Sequence, residues 1–243
     1  KLAELIDSKT PDNLNEITLN SNKILASEGQ KSIWIESQNK VKHNPYILES
    51  DLILSDKVDI DYLKESIFLI LKRHESLRTV FIKENGELFQ FIREVDELKN
   101  VVNYYDLRKE TDSELYHSKE QNNHDFDLEE GPLIKIQLLH LEDKLVLNIK
   151  MHHIITDEWS QMVLENEFEV IFNQKNIQIE KPKFQYKDFS LWQNNYLNSN
   201  EYFSDKLYWK NRLLKGNLKR GRLGNFNLKS KKESAIVNYY FSN

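Results

Sequence analysis

Residues 144–160 read Lys144-Leu145-Val146-Leu147-Asn148-Ile149-Lys150-Met151-His152-His153-Ile154-Ile155-Thr156-Asp157-Glu158-Trp159-Ser160. The first eight alternate. Leu145, Leu147, Ile149 and Met151 face one way, and Val146, Asn148 and Lys150 face the other. That period of two predicts a strand. From about Ser160 to Asn173 the pattern changes to that of a helix. The His-His and Asp residues therefore sit at a strand-to-helix junction, where polar groups are carried on a rigid scaffold. Upstream, Leu133–Leu141 predicts a partner strand joined to the first around Glu142-Asp143.

The same reading extends outward. Val58 to His74 predicts an amphipathic helix, with Ile60, Leu63, Ile67, Ile70, Leu71 and His74 at helical spacing and Asp59 and Asp61 in a favourable first turn. Strand-like residues flank it at 48–55 and 78–83, and Asn85-Gly86 predicts a hairpin turn into Leu88–Ile92. Further helices are expected at Thr111–His124, Tyr186–Asn195 and Glu201–Leu214. Interleaved helices and strands predict an α/β (α+β) fold, a mixed sheet with helices packed on it.

Composition narrows the function. Of 243 residues 39% are hydrophobic and 11% aromatic, enough for a core. The net charge of −5 gives no general attraction for nucleic acid. Without cysteine there is no disulfide, Cys-based zinc site or Cys nucleophile. No apolar run approaches membrane-spanning length and Lys1 to Thr10 lacks a signal-peptide core, so a cytoplasmic location is expected, with no membrane partner. Residues 1–25 read as a polar leader. Residues 215–243 open with a basic stretch, Lys215 to Lys232, free of acidic residues; it reads as a solvated linker or, as the minor alternative, a docking surface for an acidic partner. The first residue is not Met, which suggests a piece of a longer chain.

The two histidines are the chemical candidates. Adjacent strand residues point to opposite faces, so their rings diverge and a shared metal site is not expected. Continued alternation puts His153 on the apolar side, where burial favours an uncharged imidazole able to accept a proton, and His152 with Lys150. Taken alone, two histidines and an Asp do not outweigh the structural reading of the pair, a buried, hydrogen-bonded histidine beside an exposed one.

The surrounding blocks decide between these. HHxxxDxWS, with His152, His153, Asp157, Trp159 and Ser160, resembles the HHxxxDG signature of condensation domains, which share the chloramphenicol acetyltransferase-like fold. Arg73-His74-Glu75-Ser76-Leu77-Arg78-Thr79-Val80-Phe81 is similar to the family's RHExLRTxF. Ser27-Glu28-Gly29-Gln30-Lys31-Ser32-Ile33-Trp34 is similar to its SxAQxRLW, and Tyr186-Lys187-Asp188-Phe189-Ser190-Leu191-Trp192 to its YxD(F/Y)AxW. Phe126-Asp127-Leu128-Glu129-Glu130-Gly131-Pro132-Leu133 matches another typical segment. The blocks occur in family order.

The resemblance implies a chloramphenicol acetyltransferase-like N-terminal lobe over residues 26–214, a missing C-terminal lobe, and a place in nonribosomal peptide or hybrid polyketide–peptide assembly lines. It implies amide formation between a carrier-bound acyl or peptidyl thioester and a carrier-bound amine. The partners would be donor and acceptor carrier proteins, with substrates on their phosphopantetheine arms and no cofactor or metal held by the chain. His153 would be catalytic, as base or as a positioner of the amine, with His152 supporting the turn. Asp157 would form an ion pair shaping the site, with Arg78 as its candidate partner. Glu158 replaces the family's usual Gly. With Trp159 and Ser160 it is expected to support the site, while Trp34, Tyr186 and Trp192 are expected to pack. A related epimerase, an ester-forming domain, or a degenerate platform that only binds carriers are the alternatives.

Overall fold

The computed structural model describes residues 23–38, 45–98, 101–109, 126–173 and 180–215. The chain divides into two compact units, Lys1–Asn198 and Ser199–Asn243. The helix expected at Thr111–His124, the basic stretch beyond Lys215 and most of the expected leader lie outside the described residues.

Among the described residues the first unit holds two sheets. Strands β1 (Lys23–Leu25), β3 (Thr79–Glu84) and β4 (Glu87–Ile92) form one, in the order β1-β4-β3, all antiparallel. β1 lies within the segment read as a leader. Asn85 and Gly86 join β3 to β4 with φ of 51° and 86°, the positive values that an Asn-Gly hairpin turn requires. Strands β2 (Ile47–Ser55), β5 (Val102–Asp106), β6 (Ile134–His140) and β7 (Lys144–His152) form the other, in the order β2-β7-β6-β5. It is mixed, since β5 pairs parallel to β6 while the other pairs are antiparallel.

Helix α1 (Glu28–Ser37) follows β1, and α2 (Ile60–Arg73) follows β2. Helix α3 (Glu158–Asn173) follows β7, and α4 (Tyr186–Leu197) completes the unit. Asp59 caps α2 by accepting from the amides of Asp61 and Tyr62, and Lys72 and Arg73 fall in the last turn, where the helix dipole favours cations. Leu63, Ile67, Ile70 and Leu71 of α2 pack with Leu164, Phe168 and Ile171 of α3 into one core with Ile136, Leu138, Leu145, Leu147, Ile149 and Met151. Each fully buried aliphatic side chain contributes roughly 1.5–3 kcal/mol. Gly131, with φ of 59°, sits so close to β3 that a Cβ there would lie 2.6 Å from Val80 Cγ1.

β7 is central and buried on both faces. Asn148 and Lys150, opposite the core face, are 1% and 5% exposed and meet acids across the β2–β7 pair. Asn148 Nδ2 donates to Glu49 and Asp51 at 2.7 and 2.6 Å, and Lys150 Nζ lies 3.6 Å from Glu49. Among the described residues no helix is long and apolar enough to cross a membrane. In the second unit, α5 (Asn200–Lys215) is preceded by Ser199, whose hydroxyl accepts from the amide of Tyr202 at 3.2 Å.

Candidate active site

The turn from β7 to α3 builds the site. β7 ends at His152, whose amide bonds to Leu133 O at 3.0 Å, and the next amide, of His153, bonds to Tyr46 O at 2.6 Å. Both flanking segments thus hold the point where the strand stops. His152 is 1% exposed. Its Nδ1 accepts from the Ile154 amide at 3.2 Å, which puts its hydrogen on Nε2, 3.4 Å from Ser37 Oγ. Its ring stacks on Tyr46 and meets the edge of Phe126, both at 6.2 Å between centroids. His152 is thus buried and bonded within the turn.

His153 lies past the strand end, so strand alternation does not orient it as the sequence reading assumed. A hydrogen bond does: Nδ1 lies 2.7 Å from Thr156 O. A carbonyl oxygen only accepts, so Nδ1 carries a proton and donates it. In the uncharged ring Nε2 is then a lone pair, and it has no protein partner among the described residues. His153 is half-buried and lines a cleft of about 700 Å³, together with Thr156, Asp157 and Ser160 of the same turn.

Asp157 does not pair with Arg78. It is the N-cap of α3, its Oδ1 accepting from the Ser160 amide at 2.7 Å and the Ser160 hydroxyl at 2.6 Å. The Ser160 hydroxyl holds the carboxyl below its ordinary value against partial desolvation, aided by the Ser160 amide and the neighbouring His153. Arg78 is occupied elsewhere. It donates to Arg93 O, approaches Glu75 at 3.7 Å, and lines a separate small cavity with Arg93, Glu97 and Pro132. It closes a 3₁₀ turn, Glu75–Arg78, that leads into β3 beside the end of β4, and this aims it away from the cleft.

Glu158 and Trp159 open α3. Both are exposed, Trp159 by 72%, and neither lines the cleft. Glu158 is the first residue of α3, and its φ is not positive, so the backbone does not need the glycine that the family usually has there. Ser160 lines the cleft and donates to Asp157 from its amide and its hydroxyl.

Sequence reasoning missed several groups in the cleft wall. Arg73 and His74, at the end of α2, both meet Glu167 of α3: Arg73 Nε at 3.1 Å from each oxygen, His74 Nε2 at 2.6 Å. Glu75 takes Lys187 Nζ at 2.8 Å, and Gln185 bridges, accepting from the Glu75 amide and donating to Arg73 O. The Arg73–Arg78 block thus ties α2 to α3 and to the start of α4. Tyr186, expected to pack, is 42% exposed on the cleft with its hydroxyl 2.9 Å from Ser27 Oγ. The one legible signal for this was the Ser27–Gln30 spacing of a capping box, which α1 forms. Among the described residues no cluster of acids and histidines could hold a metal ion.

The chain resembles known proteins in sequence and in fold. It is 31% identical over 192 residues to surfactin synthase subunit 2 of Bacillus subtilis (strain 168), a match covering 75% of this chain and 5% of that protein. It superposes on the epimerization domain from the third module of tyrocidine synthetase B with a TM-score of 0.68 at 22% identity, covering 80% of this chain and 46% of that one. On the X-domain from teicoplanin biosynthesis the TM-score is 0.68 at 20% identity, covering 82% and 45%. These superpositions establish the fold as that of condensation domains, the chloramphenicol acetyltransferase-like one. The chain spans a small fraction of the curated relatives and about half of the solved domains. The family model described as "Condensation domain" matches residues 20–235, and the chain belongs to that family.

Proposed function

We propose that this chain is the N-terminal lobe of a condensation domain that joins a carrier-bound acyl or peptidyl thioester to a carrier-bound amine. The observation that carries the reading is the orientation of His153, whose Nδ1–H is spent on Thr156 O at 2.7 Å while Nε2 is left for the cleft. The amine of the acceptor arm attacks the thioester carbonyl. Nε2 either takes the proton that the amine loses or holds the amine in attack geometry. The remainder of the domain supplies the facing wall, so that two phosphopantetheine arms meet at His153. The chain itself contributes no cofactor. His152, buried and bonded within the turn, takes no part in proton transfer.

The test is transfer between two loaded carrier proteins by the intact parent protein, followed by intact-protein mass spectrometry. His153→Ala is expected to lower the rate by about 10²–10⁴-fold, the range for general acid–base help, with the melting temperature unchanged. A variant within threefold of wild type would remove His153 from the chemistry. Deuterium from solvent appearing at Cα of the loaded aminoacyl group, without transfer, would instead assign the site to an epimerase.

A further inference from the structure

We propose that Tyr186 is a second catalytic residue, whose hydroxyl donates a hydrogen bond to the thioester carbonyl oxygen as it becomes an oxyanion. The inference deepens the condensation reading and rests on it. The reasoning starts from Ser27, which is 0% exposed. Its Oγ already accepts from the Gln30 amide at 3.2 Å, as the N-cap of α1. A buried hydroxyl also needs an acceptor for its own hydrogen. The acceptor within reach is Tyr186 Oη, 2.9 Å away. Ser27 therefore donates to Tyr186, and the phenol hydrogen is left without a protein acceptor among the described residues. Tyr186 lines the cleft that His153 and Asp157 line. A fixed donor with no partner, in a cleft that also holds a fixed imidazole, is what an oxyanion site requires before substrate arrives.

The protonation state agrees. Burial pushes the phenol above its ordinary value, the bond from Ser27 opposes this, and the Asp157 carboxylate reinforces it. Tyr186 thus keeps its proton throughout the neutral range and acts as a donor, not as a base. In the step itself the amine nitrogen bonds to the carbonyl carbon, and the C=O π pair moves onto oxygen, where the Tyr186 O–H meets it without giving up its proton. The nitrogen's proton passes to His153 Nε2. The oxyanion then collapses, the C–S bond breaks, and the thiolate leaves with the proton from His153. Charge and protons balance without a further reactant.

The experiment is Tyr186→Phe in the intact parent protein, with transfer measured between loaded carrier proteins. Phenylalanine keeps the ring and its contact with Phe189 at 5.5 Å. Losing one oxyanion donor is expected to lower kcat by about 10²-fold, with KM for either carrier and the melting temperature unchanged. A fall in kcat of less than tenfold, or a loss confined to KM, overturns the proposal. His153→Ala run in parallel separates the two ideas. Absence of transfer in the wild-type parent protein removes the condensation reading beneath; transfer lost in His153→Ala but intact in Tyr186→Phe removes this proposal alone.

Discussion

Replacing Asp157 by Ala separates two accounts of the family's aspartate by magnitude. In the structure Asp157 is exposed and caps α3, accepting from the Ser160 amide at 2.7 Å and the Ser160 hydroxyl at 2.6 Å. Loss of an N-cap costs about 0.5–2 kcal/mol, and loss of a negative charge at a helix N-terminus about 0.3–1 kcal/mol at an exposed site. The two overlap, so the expected destabilisation of Asp157→Ala is roughly 1–2 kcal/mol. An ion pair buried with Arg78, broken on one side, would cost about 3–5 kcal/mol. Urea unfolding of the complete domain reads the difference directly, because the midpoint shifts with ΔΔG at constant slope. Asp157→Asn is the control: asparagine caps well, so most of the stability returns. The pH dependence has a fixed sign. The carboxyl is held below its ordinary value in the folded state, chiefly by the Ser160 hydroxyl. Its contribution is therefore complete above the unfolded value of about 3.9 and is lost as pH falls through the lower folded value. The gap between wild type and Asp157→Asn should close in that acid window and stay constant at neutral pH. A loss above 3 kcal/mol for Asp157→Ala, abolished in an Arg78→Ala background, would refute the capping account.

Two further outcomes follow from the same geometry. Arg78→Ala removes the donor to Arg93 O and the approach to Glu75; it should cost about 1–3 kcal/mol while transfer per folded molecule stays within threefold, and complete loss of transfer at full stability would show that Arg78 reaches the cleft. Gly131→Ala adds a Cβ at 2.6 Å from Val80 Cγ1 on a backbone with φ of 59°; it should destabilise by about 1–3 kcal/mol, and an unchanged urea midpoint would refute the close packing of that segment on β3.

Where periodicity had physical support, the sequence was a good guide. The β6–β7 pair, α2 and the Asn85-Gly86 turn were all legible, because each has a strong stripe or a turn chemistry of its own. β5 was not read. Its Val102–Asp106 stretch is largely exposed and pairs in parallel with a strand distant in sequence, so no local signal marks it. α1 gave little helical pattern because Gln30 is its one buried residue, and its start is fixed by the Ser27 cap. The orientation of Arg78 was out of reach for a different reason. A short 3₁₀ turn has no periodic face, and where its last side chain points depends on β4, which packs beside it only in the folded chain.

The candidate site shows the limit most clearly at His153. Alternation along β7 was sound as far as the strand went, but the strand stops at His152. Beyond it, position is set by the turn's own bonds. Thr156 O fixes the His153 ring, and the next residue, Asp157, caps the helix that begins at Glu158. Carbonyl and cap therefore sit on adjacent residues, and the spacing from His153 to Asp157 leaves room for one turn that satisfies both. This explains why the histidine and aspartate travel together in the HHxxxD block although no direct bond joins them here. It also explains why glutamate is accommodated after the aspartate. That position needs only ordinary helical backbone, and a carboxylate at the first residue of a helix adds favourable charge. Shortening the turn by one residue would detach the ring from its carbonyl or the helix from its cap, with the loss falling on orientation of the His153 ring in the first case and on stability in the second.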